Sequence, residues 1–164
     1  MMIIHFIDST VFCNILNIAY MNDEHDKTIE ELKRIISNNE KEKIVMPFAT
    51  IIETGNHIAQ IRDGDLRYKA AKNFKEAILK TIRNEAPWSY YGLQLSEEDL
   101  EKICDRFPEA ALYLKMGIGD LSIVQAYERY KEETPGIGKI RIWTYDHHLE
   151  SYKAELKVPE RRRR

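Results

Sequence analysis

The chain alternates between short apolar runs and longer stretches whose apolar residues recur every three or four positions. The first run, Ile3-Ile4-His5-Phe6-Ile7, is rich in β-branched side chains, as expected of a strand covered on both faces. Asp8 closes it, and from Ser9-Thr10 onward Val11, Phe12, Ile15, Leu16 and Ala19 fall at helical spacing. Thr28 followed by Glu31 is a capping-box pattern, and the helix behind it carries Ile29, Leu32, Ile35 and Ile36 on one face. Lys43-Ile44-Val45-Met46 is a second strand, ended by Pro47; Thr50 to Ile61 then reads as a helix with Ile51, Ile52, Ile58 and Ile61 apolar. Asp63-Gly64-Asp65 is a turn, and Arg67 to Arg83 is a long amphipathic helix.

Pro87 to Gln94 is irregular or a short aromatic strand. Ser96 opens a helix whose first turn holds Glu97, Glu98 and Asp99, an arrangement that suits the helix dipole. Pro108 is expected to break that helix, with another running from Glu109 to Met116. Gly117-Ile118-Gly119 forms a loop, Asp120 begins a helix to about Tyr130, and Pro135-Gly136-Ile137-Gly138 forms a second loop. Ile140 to Thr144 is a third strand, and His148 to Glu155 a final helix. Strands that alternate with helices in this way predict an α/β fold, a parallel sheet covered by helices.

Composition narrows the class without changing that picture. The chain has 164 residues, enough for one core, with 43% hydrophobic and 32% charged residues. A single domain is expected over residues 1–158, with 159–164, including the Arg161–Arg164 run, as a disordered basic tail. The apolar runs are far too short to span a bilayer, and the first residues lack the order of a signal peptide, so a cytoplasmic location is expected. Cys13 and Cys104 lie far apart without CxxC spacing and read as reduced core residues. The formal net charge of −2 argues against nucleic-acid binding by blanket electrostatics. Any such contact needs a local basic surface or bound cations.

Four acids stand at element ends. Asp8 follows the first strand directly, and Asp146 lies two residues past the third. Glu53 is in the first turns of the helix after the second strand, and Asp120 follows a glycine loop. In open α/β sheets ligands collect beyond the carboxyl ends of the strands. Carboxylates gathered there repel one another, and a hard divalent cation such as Mg²⁺ or Mn²⁺ removes the repulsion. Such ions activate water and stabilise charge on a phosphoryl group, which suits phosphodiester hydrolysis. The chain holds 27 acidic residues, so some fall near strand ends by chance. On that alternative Asp8 and Asp120 are helix caps and Asp146 a turn residue.

The residues around these acids are more specific. Phe6-Ile7-Asp8-Ser9-Thr10-Val11-Phe12 resembles the opening of PIN domains, and Thr50-Ile51-Ile52-Glu53 is similar to their second motif. Gly119-Asp120-Leu121-Ser122-Ile123-Val124-Gln125-Ala126 resembles the third, and Ile142-Trp143-Thr144-Tyr145-Asp146-His147-His148-Leu149 the fourth. The four occur in the family's order and cover nearly the whole chain. The resemblance implies a three-layer α/β/α sandwich with a central parallel sheet, and Mg²⁺- or Mn²⁺-dependent cleavage of RNA. It implies Asp8, Glu53 and Asp120 as core ligands and Asp146 as the fourth acid. Thr144, with Ser9 or Thr10, would hold the carboxylates by hydrogen bonds. The compact size is similar to the toxins of toxin–antitoxin pairs, which implies an antitoxin partner and, by analogy, a homodimer. The stretch from Glu53 to Asp120, with Trp88-Ser89-Tyr90-Tyr91 inside it, is long for such a toxin. Two further readings stay open: a PIN fold that holds RNA or protein without cutting, and a DNA or flap nuclease using the same acids.

Other constellations carry less. His57 shares a helix face with Glu53, and His147 and His148 follow Asp146, but no HExxH spacing points to a zinc hydrolase. His147 and His148 read as rim residues, one of them touching a phosphate, and His5 as a satisfied core histidine. At about 100° per residue, the helix from Arg67 to Arg83 places Ala70, Ala71, Phe74, Ala77, Ile78 and Ile82 on one side. Lys69, Lys72, Lys80 and Arg83 cluster opposite, with Lys75 at their margin. That strip is either a solvated face or a guide for RNA phosphates. The second aspartate of haloacid-dehalogenase phosphatases, the acceptor site of response-regulator receivers, the P-loop and the dinucleotide fingerprint are all absent.

Overall fold

The structure is a computed structural model and describes residues 1–92, 96–152 and 156–157. Its elements run β1 (Ile3–Ile7), α1 (Ser9–Ile15), α2 (His25–Ser37), β2 (Glu42–Pro47), α3 (Phe48–Ala59), α4 (Gly64–Ile82) and β3 (Ser89–Tyr91). There follow α5 (Glu97–Leu114), α6 (Ile118–Glu133), β4 (Lys139–Trp143), a 3₁₀ segment (His147–Tyr152) and β5 (Leu156–Lys157). The sheet order is β3-β2-β1-β4-β5. The first four strands are parallel, with His5 registered against Ile44 on one side and Arg141 on the other, and β5 is antiparallel to β4. Among the described residues no helix is long and apolar enough to cross a membrane.

The strand alternation sorts the core into two layers. Ile4, Phe6, Val45, Ile140 and Ile142 face α5 and α6, where they pack on Ile103, Leu121, Ile123, Val124 and Tyr127. Ile7, Ile44, Met46 and Trp143 face the other way, onto Val11 and Phe12 of α1, Leu32 and Ile35 of α2, and Trp88. Both faces of the sheet are thereby covered, which gives the three-layer α/β/α PIN-like fold. Because β1 lies between β2 and β4, all three bring their carboxyl ends to one edge.

Beneath α2 the sheet carries a polar network centred on the buried His5 and Glu42. His5 Nε2 bonds Glu42 Oε2 at 2.6 Å, and Arg141 Nε donates to His5 Nδ1 at 2.6 Å. Arg34 donates to Glu42 at 2.7 Å and to Glu31 at 2.8 Å, and Arg141 reaches Glu31 at 3.1 Å. His5 is therefore the satisfied core histidine expected of it. Burial, and then the Arg141 charge, lower its pKa to about 4.

Several local expectations fail for physical reasons. Thr28 does not cap a helix: α2 begins at His25, and the Thr28 hydroxyl donates to the Glu24 carbonyl one turn back at 2.7 Å. Asp63 accepts from Leu66 N at 2.9 Å and caps α4, so Gly64-Asp65 belongs to the helix rather than a turn. Pro108 does not break α5. The proline forfeits one backbone bond, and the burial of Ile103 before it and Ala110 after it against α6 holds the helix together. The helix ends instead at Lys115, left-handed at φ 49°, where Met116 N returns to Ala110 O at 3.1 Å. The final α-helix is a 3₁₀ segment, and part of its expected span, 153–155, lies outside the described residues. Cys13 is buried as expected, but Cys104 is exposed, because it lies on the solvent side of α5. Ala71 and Ile82, assigned to the apolar side of α4, are exposed as well. The Arg161–Arg164 tail lies outside the described residues.

Candidate active site

The four acids reach one edge from four different elements. Asp8 is the first residue past β1, its backbone tied to β4 by Asp8 N to Trp143 O at 3.2 Å. It is 1% exposed. Its carboxylate is held by local donors: Thr10 Oγ1 at 2.6 Å and the Val11 amide at 3.1 Å on Oδ1, and the Thr144 hydroxyl on Oδ2. Asp8 is thus both the cap of α1 and a site residue, so the cap alternative and the site reading do not compete here.

Glu53 sits in the second turn of α3 and accepts from Ser9 Oγ at 3.1 Å. The helix is anchored a turn earlier, where the Thr50 hydroxyl donates to Ile7 O at 2.7 Å. Asp120 does not open α6 as expected. Gly117 caps the helix and Asp120 lies in its first turn, its side chain bonded back to the Gly117 amide, half of a capping box. Between them Gly119 supplies clearance: a Cβ there would overlap Glu53 Oε1 and lie 2.6 Å from Glu53 Cδ. With glycine at 119 the Glu53 carboxylate keeps this position; a side chain there would push it aside.

Asp146 is placed by the turn after β4. Its amide donates to Thr144 Oγ1 at 2.9 Å, and its Oδ1 accepts from His148 N at 2.9 Å. Tyr145, between them, closes the turn onto two other elements. Its amide donates to Thr10 Oγ1 at 2.9 Å and its hydroxyl meets Thr28 Oγ1 at 2.8 Å. Nothing in the sequence marks Tyr145 or Thr28 for this role, since the partners are over 100 positions apart. Gly119 stands in the glycine loop and opens the third motif, but nothing in the sequence ties it to Glu53.

The electrostatics show that the acids share one field. Glu53 feels the charges of Asp120, Asp8 and Asp146, Asp120 those of Asp146 and Asp8, and Asp8 that of Asp146. Burial first, and then Asp120, push Glu53 up to about 7. Burial, and then Asp146, push Asp120 up to about 6. Burial also raises Asp8, against the hydrogen bonds of Thr10 and Thr144. The nearby Cys13 thiol is pushed up to about 12 by burial and then by Asp8, which leaves it an inert thiol. An oxygen-rich, mutually repelling, rigidly held donor set is what a hard divalent cation relieves.

Lys69, Lys72, Lys80 and Arg83 are exposed on α4, while the charges acting most strongly on Glu53 and Asp120 are other acids and His148. His57 points to solvent.

No protein-family model matches the chain, and no curated protein matches it. Its fold is nonetheless that of a known class, the PIN-like α/β/α sandwich. Among solved structures it is similar to VapC20 of Mycobacterium tuberculosis, described as a sarcin-ricin loop cleaving toxin. The two share 12% identity at a TM-score of 0.56, covering 94% of this chain and 99% of that one. The long stretch between Glu53 and Asp120 therefore lies largely within the common fold rather than outside it.

Proposed function

We propose that the chain is an endoribonuclease that hydrolyses RNA phosphodiester bonds with one or two Mg²⁺ or Mn²⁺ ions held by Asp8, Glu53, Asp120 and Asp146. The observation that carries this reading is the approach of four carboxylates to one sheet edge, with Glu53 raised to about 7 and Asp120 to about 6 by burial and by neighbouring acids. The donor set fits such an ion in kind, being all oxygen, with Asp8 and Glu53 held by hydrogen bonds. When bound, the ion supplies an activated water and stabilises the charge that develops on the phosphoryl group.

The chain's own residues do the positioning. Thr10, Thr144 and the Val11 amide fix both Asp8 oxygens, and Ser9 fixes Glu53. Thr144 also accepts from the Asp146 amide, so one hydroxyl coordinates two of the acids. RNA as substrate rests on the likeness to VapC20, because carboxylates do not themselves choose the sugar. The toxin reading adds an antitoxin protein and a second copy of the chain as partners. The strip of Lys69, Lys72, Lys80 and Arg83, with His147, is the surface we assign to RNA phosphates. Charge reversal at Lys72 and Lys80 should weaken RNA binding and flatten its salt dependence.

The deciding experiment is Mn²⁺ titration by calorimetry on the wild type and Asp8→Asn, with cleavage of RNA and of DNA of the same sequence assayed on the same samples. Metal binding and RNA cleavage by the wild type, both lost in the variant, support the proposal. A wild type that binds no Mn²⁺ and cuts neither polymer overturns it, and preferential DNA cleavage overturns the choice of substrate.

A further inference from the structure

Beside the carboxylates the chain sets two imidazoles that the reading above does not use as ligands. His147 and His148 open the 3₁₀ segment directly after Asp146, their ring centroids 3.9 Å apart. One ligand atom from each of Asp146, His147 and His148 lies within 4.8 Å of the others, with His147 Nδ1 3.8 Å from Asp146 Oδ1. The backbone holds this geometry. His148 N donates to Asp146 Oδ1 at 2.9 Å, and the next residue, Leu149, is fully buried, with its amide bonded to Asp146 O at 3.2 Å. His148 also faces inward enough for its charge to act on Asp120.

Two imidazoles this close gain little from each other. Protonated together they repel, and neutral they each carry an unshared pair on one nitrogen. A cation that accepts those pairs makes use of the arrangement. We propose that Asp146, His147 and His148 form a site for a borderline transition-metal ion of the Zn²⁺ class, at the rim of the four-carboxylate centre. Imidazole nitrogen distinguishes this set from the all-oxygen one, because Mg²⁺ prefers oxygen while Zn²⁺ takes nitrogen and carboxylate together. Two nitrogens and one oxygen leave a fourth position open, as in three-ligand zinc sites. Bonds of about 2.0–2.2 Å in a tetrahedron put ligand atoms roughly 3.4 Å apart. The triad must therefore close by about 1 Å, a movement open to His147, whose side chain is 81% exposed. The site does not depend on the chain cutting RNA.

The test uses the whole chain and two ions. Zn²⁺ and Mn²⁺ are titrated by calorimetry, and Co²⁺ is followed by its visible absorption as a spectroscopic stand-in for Zn²⁺. The proteins are the wild type, His147→Ala/His148→Ala and Asp8→Asn/Asp120→Asn, with folding of each checked by circular dichroism. The proposal expects the histidine variant to bind Zn²⁺ at least tenfold more weakly and to lose the Co²⁺ band, with Mn²⁺ affinity within about twofold of wild type. It expects the aspartate variant to lose Mn²⁺ and keep Zn²⁺. Zn²⁺ binding unchanged in the histidine variant, or absent from the wild type, overturns the site. Mn²⁺ absent from the wild type overturns only the carboxylate reading.

Discussion

The same three strands carry two buried polar regions with opposite electrostatic characters. Under α2, His5, Glu31, Arg34, Glu42 and Arg141 interlock acid with base, and Glu42 is held at about 2, chiefly by the Arg34 hydrogen bond. Past the carboxyl ends of those strands, Asp8, Glu53, Asp120 and Asp146 face one another, and the hydrogen bonds given to them come from hydroxyls and amides. Burial raises the acids of both sets; in the first the Arg34 hydrogen bonds and charge outweigh it, and in the second the neighbouring acids add to it. A buried charge that is compensated holds a fold together, and one that is left uncompensated marks where something else is meant to bind.

The largest expected effect breaks the second region without touching a charge. Gly119→Ala should displace Glu53 and lower Mn²⁺ affinity by roughly ten- to a hundredfold, with the circular dichroism spectrum unchanged; calorimetry on the purified variant checks it. Neutralising one carboxylate in each region should then give opposite signs of stability in metal-free protein. Glu42→Gln removes the buried charge that faces Arg34 and His5, leaves Arg34 with Glu31 as its carboxylate partner, and should cost about 1–3 kcal/mol. Asp8→Asn removes a buried, repelled charge while keeping a capping side chain, and should raise the denaturation midpoint. Equal losses in urea titrations of the two variants would erase the contrast.

Acidity sharpens the comparison further. Glu53 at about 7 and Asp120 at about 6 stand above their ordinary 4.5 and 3.8, so the folded form binds protons first. Their contribution to stability therefore grows as pH falls from 7 to 4. His5 at about 4, against 6.5, and Glu42 at about 2, against 4.5, do the reverse. The unfolded chain protonates first, and their stabilisation drains away through pH 6.5 to 4 for His5 and 4.5 to 2 for Glu42. In chelated protein the two trends oppose each other between pH 7 and 4. A Glu53→Gln/Asp120→Asn variant should thus lose stability more steeply on acidification than wild type, as thermal melts across that range would show. The smallest effect joins the regions: Tyr145→Phe removes the hydroxyl that meets Thr28 Oγ1, and should cost about 1 kcal/mol and weaken Mn²⁺ binding several-fold.

Much of this arrangement is legible in sequence, and what is not has a common cause. The apolar runs at residues 3–7, 43–46 and 140–144 locate β1, β2 and β4, because doubly covered strands must be apolar throughout. Asp8 and Asp146 can be placed at one edge because both follow strands of the same sense. β5 cannot be read, being two residues long and dependent on β4 for its pairing. The uninterrupted α5 cannot be read either, since Pro108 signals a break locally and only the packing of Ile103 and Ala110 overrules it. The salt-bridge network hides for the same reason: His5, Glu42 and Arg141 become neighbours only through strand register.

Position 119 carries no functional group, so an inventory of reactive side chains passes over it. Yet the space left by its missing methyl is filled by the Glu53 carboxylate. In the terms of inheritance, an empty volume and an acid 66 positions away form one trait. Either position drifts freely only if the other moves with it, and a shortened acid at 53 is the natural suppressor of a side chain gained at 119.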